Sequence, residues 1–596
     1  MTITIGGVDV ALAPTIHPED KAACQSAPFN PSVHELPQGF RKSANKAAFP
    51  MDTIFEQDVA VPMRDGAKLY CDIFRPKGRS NIPAILVWSP YGKGGNGPHG
   101  LHMIEGRFGV PEERLSGYEK FEGLDPADWV DKDYAVVNFD LRGCWNSEGT
   151  IPWLGTQDGR DGYDAVEYVA QLDWCNGRVA LAGNSWLAMS QWFIAAEQPP
   201  HLAAFAPWEG ASDFYRDTLC RGGTPYPYQK MWKVLESSMV GHGQVEAITS
   251  MLTEHPLYNE YWEDKRAKLE RVRTPAYVLA SYSTSLHTSG SIGGYNRLAS
   301  TDKWLRIHPK QEWSDLYSAE STADLRKFFD YFTKGIQNNW METARVRVSL
   351  LPFNKEPVEN VPFPSYPVPQ TQYIKLFLTE SGRLSPEAQS SSSQLSYQSD
   401  IIPTKPDHNP EELQFTYTFE RPAWLIGYSK AVLYVSTEVA QDLDVFVQLR
   451  KMDQSGMILQ HMNVPVERLV PPKASPDEVP NSCFLKYLGP TGVLRATHAS
   501  TNVPSAEDAR PEYRHDRKAA AVNADQVCRL EVPIWPGGIA FEAGEALVLK
   551  VAGHYMSMME FEFLNHQADI ENKGRHTVHL GAEHDSHLVV PLMTPF

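Results

Sequence analysis

"RVALAGNSWLAMSQWFIAAEQPP", residues 178–200, passes from an apolar run through a Gly-x-Ser turn into an aromatic, Ala-rich stretch. The run up to Gly183 reads as a buried strand, and the residues from Trp186 onward as a helix. So little chain separates the two that the turn must be sharp, and such a turn lifts its apex residue clear of the sheet edge. Ser185 stands at that apex, where a serine is a candidate nucleophile. The Trp186 amide, at a helix N-terminus, is a candidate donor to a developing oxyanion. A Gly-x-Ser triplet also occurs as an ordinary bend, so its surroundings have to carry the decision.

Those surroundings alternate. Upstream lie four β-rich runs, "TIFEQDVAVPM" (53–63), "KLYCDIFRP" (68–76), "PAILVWSPYG" (83–92) and "YAVVNFDLRG" (134–143), the last two separated by a long polar segment from Lys93 to Asp133. "DGYDAVEYVAQLDW" (161–174) places Ala165, Val166, Tyr168, Val169 and Leu172 at helical spacing. After the Ser185 helix come "HLAAFAPW", "TPAYVLASY", "DKWLRIH" and the helix "STADLRKFFDYFTKG". Alternation of this kind predicts an α/β fold: a mostly parallel sheet between helices, with ligands at the carboxyl ends of the strands. Between the strands ending at Trp208 and Tyr282 a helical stretch is dense in Tyr226, Tyr228, Met231, Trp232, Met239, Met251, Tyr258, Tyr261 and Trp262. Most of these suit its own core, and a stretch placed over the sheet edge is a lid shaping a hydrophobic pocket, with Trp232 a candidate substrate contact. From about Thr371 strands follow without helices, after a Ser/Gln/Pro-rich linker at 385–410, which predicts a β-sandwich. The expected organisation is an N-terminal extension (1–50), an α/β domain in two parts (51–211 and 273–370), a helical cap (212–272) and the sandwich (371–596).

The bulk numbers bound the function. The 596 residues, 42% hydrophobic and 21% charged, fill more than one core. With 55 basic and 73 acidic side chains the formal charge is -18, which argues against nucleic-acid and anionic-membrane partners. No signal peptide and no apolar run long enough to span a bilayer is visible, so a cytoplasmic protein is expected. The seven cysteines lack any C-x-x-C pair and read as free, buried thiols. "DLD" at 442–444 and "HTVH" at 576–579 do not assemble three convergent ligands, and "GKGGNG" lacks the ending of a phosphate loop. No metal and no cofactor is expected.

Several ordered stretches resemble the cocaine-esterase and X-prolyl dipeptidyl-peptidase type (CocE/NonD) of α/β-hydrolases: "VPMRDGAKLYCDIFRP", "SPYGK", "DLRGCWNSEG", the segment 161–192, "FFDYFTKG", "STEVAQDLDVFVQLRK", "LRATH" and "HDSHLVVP". The resemblance, over residues 54–596, implies a hydrolase domain with an inserted helical cap and a C-terminal jelly-roll sandwich. It implies Ser185 as nucleophile and an oxyanion hole made by the Tyr91 hydroxyl and the Trp186 amide. Tyr91 reads equally as a turn tyrosine packed on the sheet edge. The pattern breaks at the other two positions. Thr284 in "SYST" stands where the family has its aspartate, and Glu312 in "HPKQE" where it has its histidine.

Serine needs a positioned base to be nucleophilic near neutrality. In the same two loops, His287 follows Thr284 by three residues, and an exchanged triad of Ser185, His287 as base and Glu312 as its orienting acid is the first expectation. His308 competes as base but reads more simply as a core histidine at a strand end. Glu312, raised in pKa by an apolar pocket, is a third option, with Glu209 in "APWEG" a second acid or a substrate contact. His99 reads as a solvated loop residue. The expected activity is hydrolysis of an ester, amide or related acyl bond of a small hydrophobic molecule through an acyl-enzyme. Acyl transfer, C–C cleavage or cyclisation in the same pocket, or a binding protein with a degenerate relay, are the alternatives. Homo-oligomer formation is compatible with all of them.

Overall fold

The computed structural model describes all residues except 1–2, 25–27, 95–96, 105, 226–228, 402–406, 408, 500–519, 565–570 and 596. Tyr226 and Tyr228 of the expected lid therefore lie outside the described residues, as do Gly95 and Asn96 of "GKGGNG".

An 11-stranded sheet organises the first 370 residues. Its strands are β1 (Ser32–Leu36), β2 (Thr53–Pro62), β3 (Lys68–Pro76), β4 (Ile82–Ser89), β5 (Ala135–Asp140), β6 (Cys175–Asn184), β7 (Leu202–Trp208), β8 (Ala276–Ser281), β9 (Lys303–His308), β10 (Val346–Leu350) and β11 (Val358–Phe363). They lie in the order β11-β10-β9-β8-β7-β6-β4-β5-β3-β2-β1. From β5 across to β10 every pairing is parallel, and the flanking pairs are antiparallel. The parallel strands are buried on both faces, which is why β4, β5 and β8 read as unbroken apolar runs. Register brings the carboxyl ends level: Ser89 pairs with Asp140, Asn184 with Trp208 and Ser281 with His308.

The turn after β6 is as sharp as its sequence predicts. Ser185 takes φ 55° and ψ −116° and leads directly into the helix Trp186–Ala196, all of whose residues are buried. A helix apolar on every side belongs inside, which accounts for its weak amphipathic pattern. Gly183, at φ 127°, is required: a Cβ there would lie 2.3 Å from Leu187 Cδ2. The helix Ala319–Lys334 also falls where the spacing puts it, started by the Ser318 hydroxyl, which accepts from the Ser321 amide at 3.1 Å.

Two expectations change. The first 50 residues are built into the sheets: β1 closes one edge of the main sheet against β2, and Leu12–Pro14 pairs with Gln244–Glu246 beneath the cap. Within the stretch expected as a linker, Ser393–Gln398 is a strand paired with Arg575–Leu580. Both are short edge segments whose pairing supplies order that their own periodicity does not announce. The strands of the C-terminal jelly-roll sandwich pair antiparallel, along the long strands Ala423–Thr437 and Cys528–Phe541, with one isolated parallel bridge between Arg383 and Thr416 among the described residues. It docks on the cap through Arg221, whose guanidinium lies 3.1 Å above the Trp535 ring.

Candidate active site

At the carboxyl edge of the sheet the backbone of Ser185 is held by β7, its amide donating to the carbonyls of Trp208 and Glu209 at 3.2 and 3.0 Å. Ser185 is 8% exposed, and its hydroxyl lies 3.1 Å from His287 Nε2. His287 sits in the first turn of the helix Ser285–Arg297, whose start is fixed by Thr284: the Thr284 amide donates to Ser281 Oγ at 3.0 Å, and its carbonyl accepts from the His287 amide at 2.9 Å. Thr284, at the position the family gives to its acid, thus places the helix that carries the imidazole. Burial pulls the His287 pKa down to about 4, against the opposing field of the Glu209 carboxylate, so the ring is a neutral proton acceptor at ordinary pH.

Glu312 does not orient that ring. Gln311 caps the short helix Glu312–Leu316, its side chain accepting from the Trp313 and Ser314 amides, and this start turns Glu312 toward Asn184, whose Nδ2 donates to Oε2 at 2.5 Å. Among the described residues His287 Nδ1 has no hydrogen-bond partner. Glu312 is fully buried with Glu209 and Glu122 as its charged neighbours, and desolvation followed by their repulsion pushes its pKa well above the carboxylate range.

Glu209, in a left-handed conformation at the end of β7, accepts from the Ser281 hydroxyl at 2.6 Å and faces His308 Nε2 at 2.5 Å. His308 is buried at the end of β9, with Asp315 3.6 Å from its other nitrogen, so its ring is turned to Glu209 and Asp315. Tyr91 stands two residues beyond β4, buried beside Ser185 and Glu122; burial is the main cause that raises its phenol well above the usual range. Trp186 packs edge-on against Tyr91 and Trp153 at ring separations of 6.3 and 4.9 Å. Trp232 is a buried cap residue that meets Phe214 and Trp153. His99 is not solvated as expected: its Nε2 lies 2.9 Å from Ser238 Oγ, its ring 5.0 Å from Tyr91, and burial lowers its pKa to about 4.

Residues that the sequence reading does not single out complete the site. Glu122, from the polar segment between β4 and β5, faces Ser185 and the Trp186 amide. Trp313 stacks on Phe108 at 4.4 Å, and Phe484 of the sandwich lies 5.3 Å from Trp313. The turn sequence "FEG" around Glu122 was the one local signal available, and nothing in it points toward Ser185.

The remaining chemistry-bearing residues are accounted for elsewhere. Asp444 is bound by both arms of Arg495 at 2.7 and 2.8 Å, and His579 pairs with Ser436 at 2.8 Å. Among the described residues no group of three or more His, Cys, Asp or Glu is placed to hold a metal ion, and no helix is long and apolar enough to cross a membrane. All seven cysteines are free. Cys24 is exposed, contrary to expectation, and Cys175 and Cys528 are half-buried.

A serine raised on a strand-to-helix elbow, with an imidazole on its hydroxyl, on this sheet topology, defines an α/β-hydrolase. Comparison with known proteins agrees. The X-Pro dipeptidyl-peptidase (S15 family) profile matches residues 65–241, and the X-Pro dipeptidyl-peptidase C-terminal non-catalytic domain matches residues 338–589. A cocaine esterase of Rhodococcus sp. is 32% identical over 160 residues, which is 27% of this chain and only 24% of that enzyme. A crystal structure of a CocE/NonD family hydrolase from Staphylococcus aureus superposes with a TM-score of 0.80 at 29% identity, covering 91% of this chain and 94% of that one. An α-amino acid ester hydrolase shares the fold at a TM-score of 0.66 and 16% identity, over 91% of this chain and 96% of that one. The chain belongs to the cocaine-esterase and X-prolyl dipeptidyl-peptidase type (CocE/NonD) of α/β-hydrolases.

Proposed function

We propose that the protein is a serine hydrolase that cleaves an ester, amide or related acyl bond of a small uncharged molecule through an acyl-enzyme. The observation that carries this reading is the 3.1 Å contact between Ser185 Oγ and His287 Nε2 at a buried elbow. His287 takes the serine proton as the oxygen attacks the acyl carbon. The carbonyl oxygen, gaining charge, is received by the Trp186 amide and the Tyr91 hydroxyl. His287 then returns the proton to the leaving group, and water repeats the sequence on the acyl-enzyme. Glu209 serves as the negative charge that favours the imidazolium, acting through space rather than through Nδ1. Glu312 is a positioning residue that fixes Asn184 beside the nucleophile. The aromatic rings of Trp153, Trp186, Trp232, Trp313 and Phe484 favour an apolar or aromatic acyl or leaving group. Relatives named for ester and X-Pro peptide cleavage support the bond type.

A fluorophosphonate probe tests the reading. Labelling is expected on Ser185, absent in Ser185→Ala, and slowed about 10³–10⁴-fold in His287→Ala. Labelling of the wild-type protein at another residue, or undiminished labelling of His287→Ala, overturns it. Tight binding of a small ligand without labelling indicates the receptor alternative.

A further inference from the structure

The buried carboxyl of Glu122 is hydrogen-bonded with groups of the reacting centre itself. Its backbone is pinned from three sides. Glu122 itself takes φ 64°, and its carbonyl accepts the Asn184 amide at 2.9 Å, one residue before the nucleophile. Lys120 Nζ is held by the carbonyls of Gly92 and Phe139 at 3.0 and 2.7 Å. Gly123 presses on β4 so closely that a Cβ there would lie 2.4 Å from Val87 Cγ1. A non-glycine residue kept in the left-handed region is strained, and such strain persists where the surroundings over-determine it, often at functional sites. Here it aims a side chain that is 2% exposed into the reacting centre. Oε1 accepts from the Trp313 indole at 3.2 Å, and the carboxyl is also hydrogen-bonded with the Ser185 hydroxyl, the Trp186 amide and the Tyr91 hydroxyl. The carboxyl faces the Ser185 hydroxyl and the Trp186 amide, with the Tyr91 hydroxyl as neighbour. Those are the groups that surround a carbonyl oxygen under attack by Ser185.

We propose that Glu122 is a catalytic residue: its carboxyl O–H stands beside the Trp186 amide and the Tyr91 hydroxyl as a third donor to the substrate carbonyl oxygen. This rests on Ser185 being the nucleophile. As the Ser185 Oγ–carbon bond forms, the serine proton passes to His287 and the carbonyl π pair moves onto the oxygen, where the Glu122 hydroxyl hydrogen-bonds it. When the pair returns and the leaving group departs with the proton from His287, Glu122 keeps its own proton throughout. A carboxylate in that place would repel the oxyanion, so the group works only as the neutral acid.

The surroundings keep it neutral. The ionisable groups facing Glu122 are Tyr91, Tyr317, Glu209, Glu312 and, across Ser185, His287; none of them is a cation at ordinary pH apart from a transient imidazolium. Burial is the main cause of a pKa raised well above the carboxylate range; hydrogen bonds from Trp313, Ser185 and the Trp186 amide oppose it, and the Glu209 charge adds to it.

The test is the rate of Ser185 labelling by the fluorophosphonate across pH in wild type, Glu122→Gln and Glu122→Leu, with the labelled site read by mass spectrometry and folding by thermal melting. Wild type loses rate on the alkaline side as Glu122 ionises. Glu122→Gln keeps an N–H donor that cannot ionise, so it retains most of the neutral-pH rate and lacks that alkaline decline. Glu122→Leu is slowed about 100-fold at all pH values, the usual loss for one oxyanion donor. If Glu122→Leu fails to fold, the Gln profile alone decides. An alkaline decline in Glu122→Gln identical to wild type, or a folded Glu122→Leu protein that labels at the wild-type rate, overturns the proposal while Ser185 remains the nucleophile. No labelling of wild type removes the nucleophile and this proposal together.

Discussion

Glu312 and Asp315 share one short helix, and both are 1% exposed, yet their environments drive them in opposite directions. Asp315 is met by Arg306, which binds both its oxygens, and by the Ser321 hydroxyl at 2.8 Å, and its pKa falls to about 2. Glu312, three residues earlier, meets the Asn184 amide and two other carboxyl groups but no cation among the described residues, and its pKa rises. Burial penalises both charges alike; a dedicated cation decides which one survives. The molecule thus keeps an ionic cluster behind β9 and a floor of largely uncharged acids beneath Ser185. A reacting centre in which an oxyanion must develop is served by donors that carry no negative charge of their own.

The sharpest way to break this contrast is to remove the cation. Arg306→Met leaves Asp315 buried without its partner and is expected to cost about 3–5 kcal/mol of stability, read by denaturant or thermal unfolding. Because the Asp315 pKa is depressed in the folded protein, its contribution is fully present above about 3.8 and is lost as pH falls through about 2. In Arg306→Met that acid-side loss disappears. Unchanged stability would show that Asp315 is neutral too and that the two acids do not differ.

A smaller effect is expected at Glu312. Glu312→Gln exchanges one neutral, hydrogen-bonding group for another of the same shape. It should alter stability by less than about 1 kcal/mol, and Ser185 labelling by no more than a few-fold. A collapse of labelling in a stably folded Glu312→Gln protein would mean that the carboxylate charge is needed there, as in the triad expected from the sequence. Glu312 was legible as a site residue because its loop is one of two that the family pattern marks. Its direction was not, since that depends on where the Gln311 cap starts the helix. The elbow was legible in full, because strand, glycine, serine and helix are set by neighbours in sequence. His287 was reachable by searching the same loops for an imidazole. Glu122 and Phe484 were not, because each arrives from a segment without periodicity, and only the docking of the chain's distant parts brings them to Ser185.

The smallest expected change lies in the response to mild acid. An imidazole with an ordinary pKa near 6.5 is mostly protonated by pH 5 and would lose most of its capacity as a base. His287 is held at about 4 by burial, so its neutral form, the one that accepts the serine proton, persists through that range. Ser185 labelling is therefore expected to be nearly flat from neutrality down to pH 5 and to fall only as pH approaches 4. The direction of the next shift follows from the one charge that opposes burial here. Glu209→Gln removes the field that favours the imidazolium, so the acid limb should move lower still, whereas a limb that moves up would exclude Glu209 as the counter-charge. A wild-type limb centred near 6.5 would show that burial does not depress the His287 pKa, and the account of a buried, neutral imidazole as the base would fall.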